Sequence, residues 1–206
     1  MSILKVNAIV TEAYFDVPQW LNVYEDKRYI TLSKNTSPND IEQFLVTLFG
    51  YNDINIENGP NQAFNELIEL LEDDEIALPG GILFFDSEKN MIFPSCCSGL
   101  EDWRSVLTGS INGVSPWMGH DPTPTFEFDG EFIRVWSDSY NTNNSKEDIY
   151  YIEYYRDDLI NKLKEIEIDL IEFLHGPLYH RIKQFDEIVA NQIIDKFLSS
   201  FINKKE

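Results

Sequence analysis

Positive charge is scarce in this chain. Sixteen Lys+Arg stand against 36 Asp+Glu, for a formal net charge of −20, a field that repels a nucleic-acid backbone and attracts a basic partner. No nucleic acid is expected. Cysteine is scarcer still, and the two present, Cys96 and Cys97, are neighbours, which excludes the disulfide framework of a small secreted domain and fits free thiols in a cytoplasmic protein. No apolar run approaches the roughly 20 residues needed to span a bilayer, so no membrane partner is expected. The opening MSILKVNAIVTEAYFD has neither the apolar segment nor the small-residue cleavage pattern of a secretory signal. Gly80 and Gly81 follow Pro79 but fit neither a dinucleotide fingerprint nor a phosphate-binding loop. No cofactor is implied.

What is plentiful is core material. With 43% hydrophobic and 14% aromatic residues, the chain can bury a sizeable interior, and one compact domain over residues 1–206 is expected. Alternation at Leu4, Val6, Ala8 and Val10 predicts a strand, and Arg28 to Ser33 a second. Ser37 before Pro38 is a helix start, with Ile41, Phe44, Leu45, Leu48 and Phe49 on one face and Gly50 as the stop. A second helix opens at Gly59 and Pro60 and presents Phe64, Leu67, Ile68 and Leu71. Its acidic end, Glu72, Asp73, Asp74 and Glu75, opposes the helix dipole, and is read as a solvated face or as an invitation to a basic partner.

Ile82 to Phe85 reads as a buried strand, Ser87 to Asn90 as a turn, and Met91 to Phe93 as a returning strand. Thr125 to Phe128 and Glu131 to Trp136 flank Asp129 and Gly130, the signature of a two-residue hairpin turn, and Trp136 is expected in the core. A polar loop at Asn141 to Ser145 precedes a tyrosine-rich strand, Ile149 to Tyr155. Two apolar seams then follow, Leu159, Leu163, Ile166, Leu170, Phe173 and Ile182, Phe185, Val189, Ile193, Phe197. His175, Gly176 and Pro177 should break the helix between them, and Asn203 to Glu206 should fray. The expected fold is α+β, a largely antiparallel sheet with flanking helices and a C-terminal helical hairpin.

The unusual stretch lies between Ile76 and Asp138, which holds both cysteines and three of the four tryptophans. Ser98 and Glu101 fit a capping box, placing Cys96 and Cys97 just before a helix N-terminus, where the dipole favours thiolate. Pro122 biases Asp121 toward extended backbone, so Trp117 to Asp121 should form an ordered loop presenting His120 and Asp121. Three chemistries are open. Cys96, Cys97, His120 and Asp121 are the candidate ligands of a metal such as zinc, although adjacent cysteines lack the spacing that usually brings two sulfurs to one ion, which argues for no metal. The same four are the candidate catalytic residues of a thiol enzyme, with a cysteine as nucleophile, His120 as base and Asp121 or Asp102 as orienter. Third, Glu101, Asp102, Trp103, Arg104 and Trp117 form a binding surface, or part of the core, in a protein without catalysis.

The motifs CCxGLEDW at Cys96 to Trp103 and SPWxGHDPxP at Ser115 to Pro124 resemble those of a family of uncharacterised bacterial proteins, over roughly Leu78 to Asp138. The resemblance implies a strand, a cysteine turn, a loop and a hairpin in that order, and no activity. Ser98 departs from a three-cysteine turn in those relatives. The acidic composition also resembles that of bacterial immunity proteins that neutralise basic toxins. The expectation is therefore a cytosolic acidic binding protein, of the immunity type, with a basic protein as partner. The alternative is a thiol- or metal-dependent enzyme centred on Cys96, Cys97 and His120.

Overall fold

The alternating N-terminal residues form strand β1 (Lys5–Thr11), and the β-branched pair that follows the first loop contributes a short β2 (Tyr29–Thr31). The chain continues as α1 (Pro38–Tyr51), α2 (Pro60–Glu72), β3 (Gly80–Phe85), β4 (Met91–Ile92), α3 (Trp103–Asn112), β5 (Thr125–Asp129), β6 (Phe132–Trp136), β7 (Tyr151–Tyr155), α4 (Arg156–Phe173), α5 (Tyr179–Lys183) and α6 (Glu187–Phe197). This computed structural model describes residues 4–11, 15–73, 76–86, 90–139 and 149–202. Residues 87–89 of the expected Ser87–Asn90 turn, the loop at 141–145, the tail at 203–206, and Asp74 and Glu75 lie outside them. The fold is α+β, with strands in two antiparallel sheets, one ordered β2-β1-β3-β4 and the other β5-β6-β7. No described helix is long and apolar enough to cross a membrane.

The chain divides into two compact units, residues 1–9 with 80–167, and residues 10–79 with 168–206. In the first, β5, β6 and β7 pair so that Phe126 faces Val135, Val135 faces Ile152, and Ile133 faces Tyr154. These residues make one buried face, because side chains two apart on a strand share a side. Phe84 of β3 stands edge-on to Phe126 and Tyr154, at ring separations of 5.7 and 6.1 Å. Each such side chain contributes about 1.5–3 kcal/mol by leaving water. The Tyr154 hydroxyl, buried with its ring, donates to the Lys5 carbonyl at 3.0 Å.

The hairpin closes one residue later than the sequence suggests. Asp129 pairs with Phe132, so Gly130 and Glu131 form the turn, and only Gly130 of the two has a positive φ, +59°. A turn with glycine at the first central position meets that demand as well as Asp-Gly would.

In the second unit Ser37 caps α1 as expected, accepting the Asp40 amide at 3.2 Å. Gly50 does not end the helix, which runs to Tyr51. The glycine is required for another reason, since the Phe15 ring occupies the space a Cβ would need. Trp20, Phe49, Phe64 and Phe185 form an aromatic cluster with Trp20 centroids 5.6 to 6.0 Å from the others. One polar edge of α1 is also buried. Asn39 accepts the amides of Tyr24 and Glu25 at 3.0 and 3.2 Å and donates to the Glu25 carbonyl, while Gln43 does the same for Lys27. Glu42 accepts the Asn22 amide and pairs with Arg181 of α5. Thus residues 22–27, which have no regular partner strand, receive their hydrogen bonds from side chains.

Pro177 does not break the C-terminal helix. Residues Leu174–Leu178 make a π-helical turn with Pro177 inside it, and a widened turn accommodates a residue that cannot donate to the ladder. The chain reverses only after Lys183. There Asp186 caps α6 through the amides of Ile188 and Val189, and α6 packs back on α5 and on α2. Glu72 at the acidic end of α2 is answered by Lys196, 3.2 Å away.

Two outcomes are expected. Ser37→Ala should cost about 1 kcal/mol in urea unfolding, the usual worth of such a cap. Burial raises the Tyr154 phenol well above its ordinary value of 10, so on passing about pH 10 the unfolded chain releases this proton first and stability falls as pH rises. Tyr154→Phe should flatten that alkaline decline, read from urea midpoints on either side of pH 10.

Candidate functional site

The site is built on two short segments that pair outside the regular sheets. Ser95 donates its amide to the Met118 carbonyl at 2.9 Å, His120 donates its amide to the Cys96 carbonyl at 3.1 Å, and the Ser95 hydroxyl donates to the His120 carbonyl at 2.8 Å. Cys96 and His120 are thereby an antiparallel bridge pair, which puts their side chains on one side. Met118 between them is buried and anchors the loop. Gly119 sits against this pairing at φ +95°, and a Cβ there would come within 2.6 Å of the Cys96 and Ser95 backbone. No other residue fits such a close approach without moving one strand.

Cys97 takes φ +66°. Extended backbone would send consecutive side chains to opposite sides, and the left-handed residue cancels that alternation. The two sulfurs consequently lie 3.4 Å apart, both thiols exposed. Their contact raises the Cys97 thiol above its ordinary value, first through the hydrogen bond to Cys96 and then through the charge on it. That is opposite to the shift expected from a helix N-terminus, and the reason is visible in the backbone. Ser98 does not cap α3. A 3₁₀ turn at Leu100–Asp102 intervenes, its N-cap is Gly99 without a side-chain bond, and α3 begins only at Trp103. Nor does Glu101 complete a capping box, since the Ser98 amide is given to the Ser95 carbonyl at 3.1 Å and the Glu101 carboxylate lies instead over Gly99, where a Cβ would be.

Cys96, Cys97 and His120 offer ligand atoms within 4.8 Å of one another, the one such group among the described residues. Asp121 does not join them. Its carboxylate accepts from, or pairs with, His120 Nδ1 at 3.2 Å, and Asp121 is itself held at φ +57° before a cis bond to Pro122. The other candidates separate. Trp103 is 1% exposed and belongs to the core. Arg104 lies 4.7 Å over the Trp103 ring and pairs with Glu167 at 2.7 Å. Asp102 is exposed and Glu101 half-buried. Trp117 is 55% exposed, with its ring 6.2 Å from that of His120.

A second surface escaped the sequence reading. The outer face of β5-β6-β7 carries three rows across the strands: Thr125, Trp136, Tyr151; Glu127, Arg134, Glu153; and Asp129, Phe132, Tyr155. Trp136 is therefore not a core residue but an outward one. Its ring packs at a tilt against Tyr151, centroids 4.8 Å apart, and it donates its indole N–H to Glu127 at 2.9 Å, while Phe132 packs at a tilt against Tyr155 at 4.7 Å. Arg134 between the aromatic rows meets Glu127, Asp129 and Glu153 at 3.5, 3.0 and 2.8 Å. The signal was present in the alternation of FIRVW and YIEYY, where aromatics fall on both faces, so that aromatic content alone could not say which was solvent.

No family model, no curated protein and no solved structure matches the chain.

The two surfaces differ in what they can do. The cysteine and histidine cluster is small, soft and able to donate electron pairs; the sheet face is aromatic and acidic. Each depends on backbone that a single substitution can disturb. Gly119→Ala should destabilise the protein by about 2 kcal/mol through the left-handed φ and the backbone collision. Urea unfolding checks this, and a value near zero would mean that the pairing of Ser95 to Met118 is not rigid.

Proposed function

We propose that this protein is a binding protein whose partner is a basic protein, docked on the outer face of β5-β6-β7. The observation that carries the reading is the composition of that face. Four aromatic rings lie in two contacting pairs, and the row between them holds carboxylates. Three acids surround one guanidinium, which leaves two negative charges uncancelled. Tyr151 and Tyr155 are 46% and 56% exposed. Aromatic faces attract cations through their quadrupole, and carboxylates beside them add direct pairing.

A depression of about 410 Å³ next to Tyr155 extends the acidic surface, lined by Glu131, Asp157 and Asp158 together with Gly130 and Arg156. Its volume exceeds that of a lysine or arginine side chain. Tyrosine and tryptophan are the residue types that most often dominate binding energy, and the whole-chain charge of −20 steers a basic partner toward the molecule and speeds encounter. In its narrower form the reading makes this chain a cytoplasmic immunity-type inhibitor and its partner a basic toxin. Binding by occlusion needs no catalytic group on this side of the interface.

The test uses arginine-rich peptides and a neutral peptide of the same length, titrated against the full chain at low and moderate salt and followed by tryptophan fluorescence and calorimetry. Basic peptides should bind, weaken as salt rises, and lose about tenfold or more with Tyr151→Ala plus Tyr155→Ala, in keeping with about 2 kcal/mol for an aromatic anchor. Unchanged affinity in that double variant would show that the charge acts elsewhere on the surface, and equal binding of the neutral peptide would end the electrostatic reading.

A further inference from the structure

We infer that Cys96, Cys97 and His120 bind one thiophilic divalent ion of the zinc class, with Asp121 as the outer partner of the histidine. The site is separate from the sheet face and would stand if the docking reading failed. Adjacent cysteines are poor ligands in extended backbone because their sulfurs diverge, and this is the objection the sequence raises. The left-handed Cys97 removes it. Zinc binds thiolate at about 2.3 Å and imidazole at about 2.0 Å with tetrahedral angles, so its sulfurs stand about 3.8 Å apart. The sulfurs here are 3.4 Å apart, and the three donor atoms fall within 4.8 Å. Closing the set around an ion requires side-chain adjustments of about an ångström, well inside rotamer freedom for exposed groups.

Asp121 supplies the second, independent observation. A metal-bound histidine characteristically gives its other ring N–H to a carboxylate, which fixes the tautomer and makes the coordinating nitrogen more basic. His120 Nδ1 lies 3.2 Å from Asp121 Oδ2, so a proton held there leaves Nε2 as the nitrogen with a free electron pair. Cys97, Gly119 and Asp121 all hold positive φ, and a non-glycine residue in that region costs about 1–2 kcal/mol. Of the two non-glycine residues, Cys97 is itself a donor and Asp121 follows the donor His120; the turn at Cys97 and the bridge of Cys96 to His120 bring the thiols and the imidazole together. Three protein donors leave the fourth tetrahedral position open to water or to a group brought by a second molecule, as in sites that exchange a ligand. On binding, each thiol releases its proton to solvent and the thiolate donates an electron pair to the ion; nothing is oxidised.

The experiment is a titration of the full chain, reduced with a phosphine and stripped with chelator, by zinc followed in native mass spectrometry and by cobalt followed in absorbance. One ion per chain is expected, with thiolate charge-transfer and tetrahedral d–d bands in the cobalt form. Cys96→Ser and Cys97→Ser should each abolish tight uptake. Asp121→Asn should weaken it 10- to 100-fold, while Asp195→Asn, at an exposed acid on α6, should leave it unchanged. Because both cysteines are exposed, circular dichroism of the serine variants should match the parent, so a loss of metal cannot be laid to unfolding. Absence of uptake by the reduced parent, uptake that survives Cys97→Ser, or cobalt spectra without thiolate bands would each overturn the assignment; full affinity in Asp121→Asn would remove the aspartate from it.

Discussion

Backbone that leaves water must find partners, and this requirement shapes both units wherever regular structure gives out. Buried N–H and C=O groups are paired almost without exception, because an unpaired one costs about as much as a lost hydrogen bond. In the second unit the loop 22–27 is satisfied by the side chains of Asn39, Glu42 and Gln43 along one edge of α1. In the first, two loops satisfy each other, Ser95 with Met118 and Cys96 with His120. The side chains of α1 lock a loop in place; the paired loops create a site.

From that pairing the chemistry follows. A bridge between Cys96 and His120 fixes which side their side chains occupy, and Gly119 permits the approach. Cys97 then turns its sulfur toward that of Cys96 by adopting a conformation most residues avoid. The sheet face arises differently, from ordinary alternation, since strands that bury Ile133, Val135, Ile152 and Tyr154 on one side must present Phe132, Arg134, Trp136, Tyr151, Glu153 and Tyr155 on the other. One surface is made by exceptions to the regular rules and the other by obeying them.

Local signals in the sequence were a good guide where a single residue decides the backbone. Ser37 with Pro38 and Gly59 with Pro60 mark helix starts because cap and proline act within one turn, and both helices begin there. The hairpin was found but displaced by one residue, since Asp-Gly and Gly-Glu both satisfy the glycine. Pro177 misled because its cost can be absorbed by widening the helix, and the neighbours that make this worthwhile are remote in sequence. Ser98 misled for a related reason: the first turn of the following segment is 3₁₀, and a cap motif does not specify which helix it opens. Cys96, Cys97 and His120 were legible as residue types, but their convergence rests on the φ of Cys97 and on a bridge across two dozen residues, neither of which any spacing rule encodes. Trp136 was misplaced because hydrophobicity does not distinguish an aromatic that fills a core from one that packs against a neighbour on the outside of a sheet.

The ion pair of Glu42 with Arg181 joins positions 139 residues apart, and the second unit as a whole is written in two pieces, with the first unit's long segment inserted between them. A ribosome delivers the N-terminal piece early, with α1 and α2 in it, yet the segments that complete its interior emerge last. Until then Phe44, Phe49 and Phe64 have no α5, α6 or π-turn to cover them, while residues 80–167 already hold most of what they need to collapse. Contacts so distant in sequence are slow to form, and an unfinished apolar surface invites association with other chains. The order of synthesis therefore gives the inserted unit a head start and leaves the split one with its apolar faces uncovered for longest.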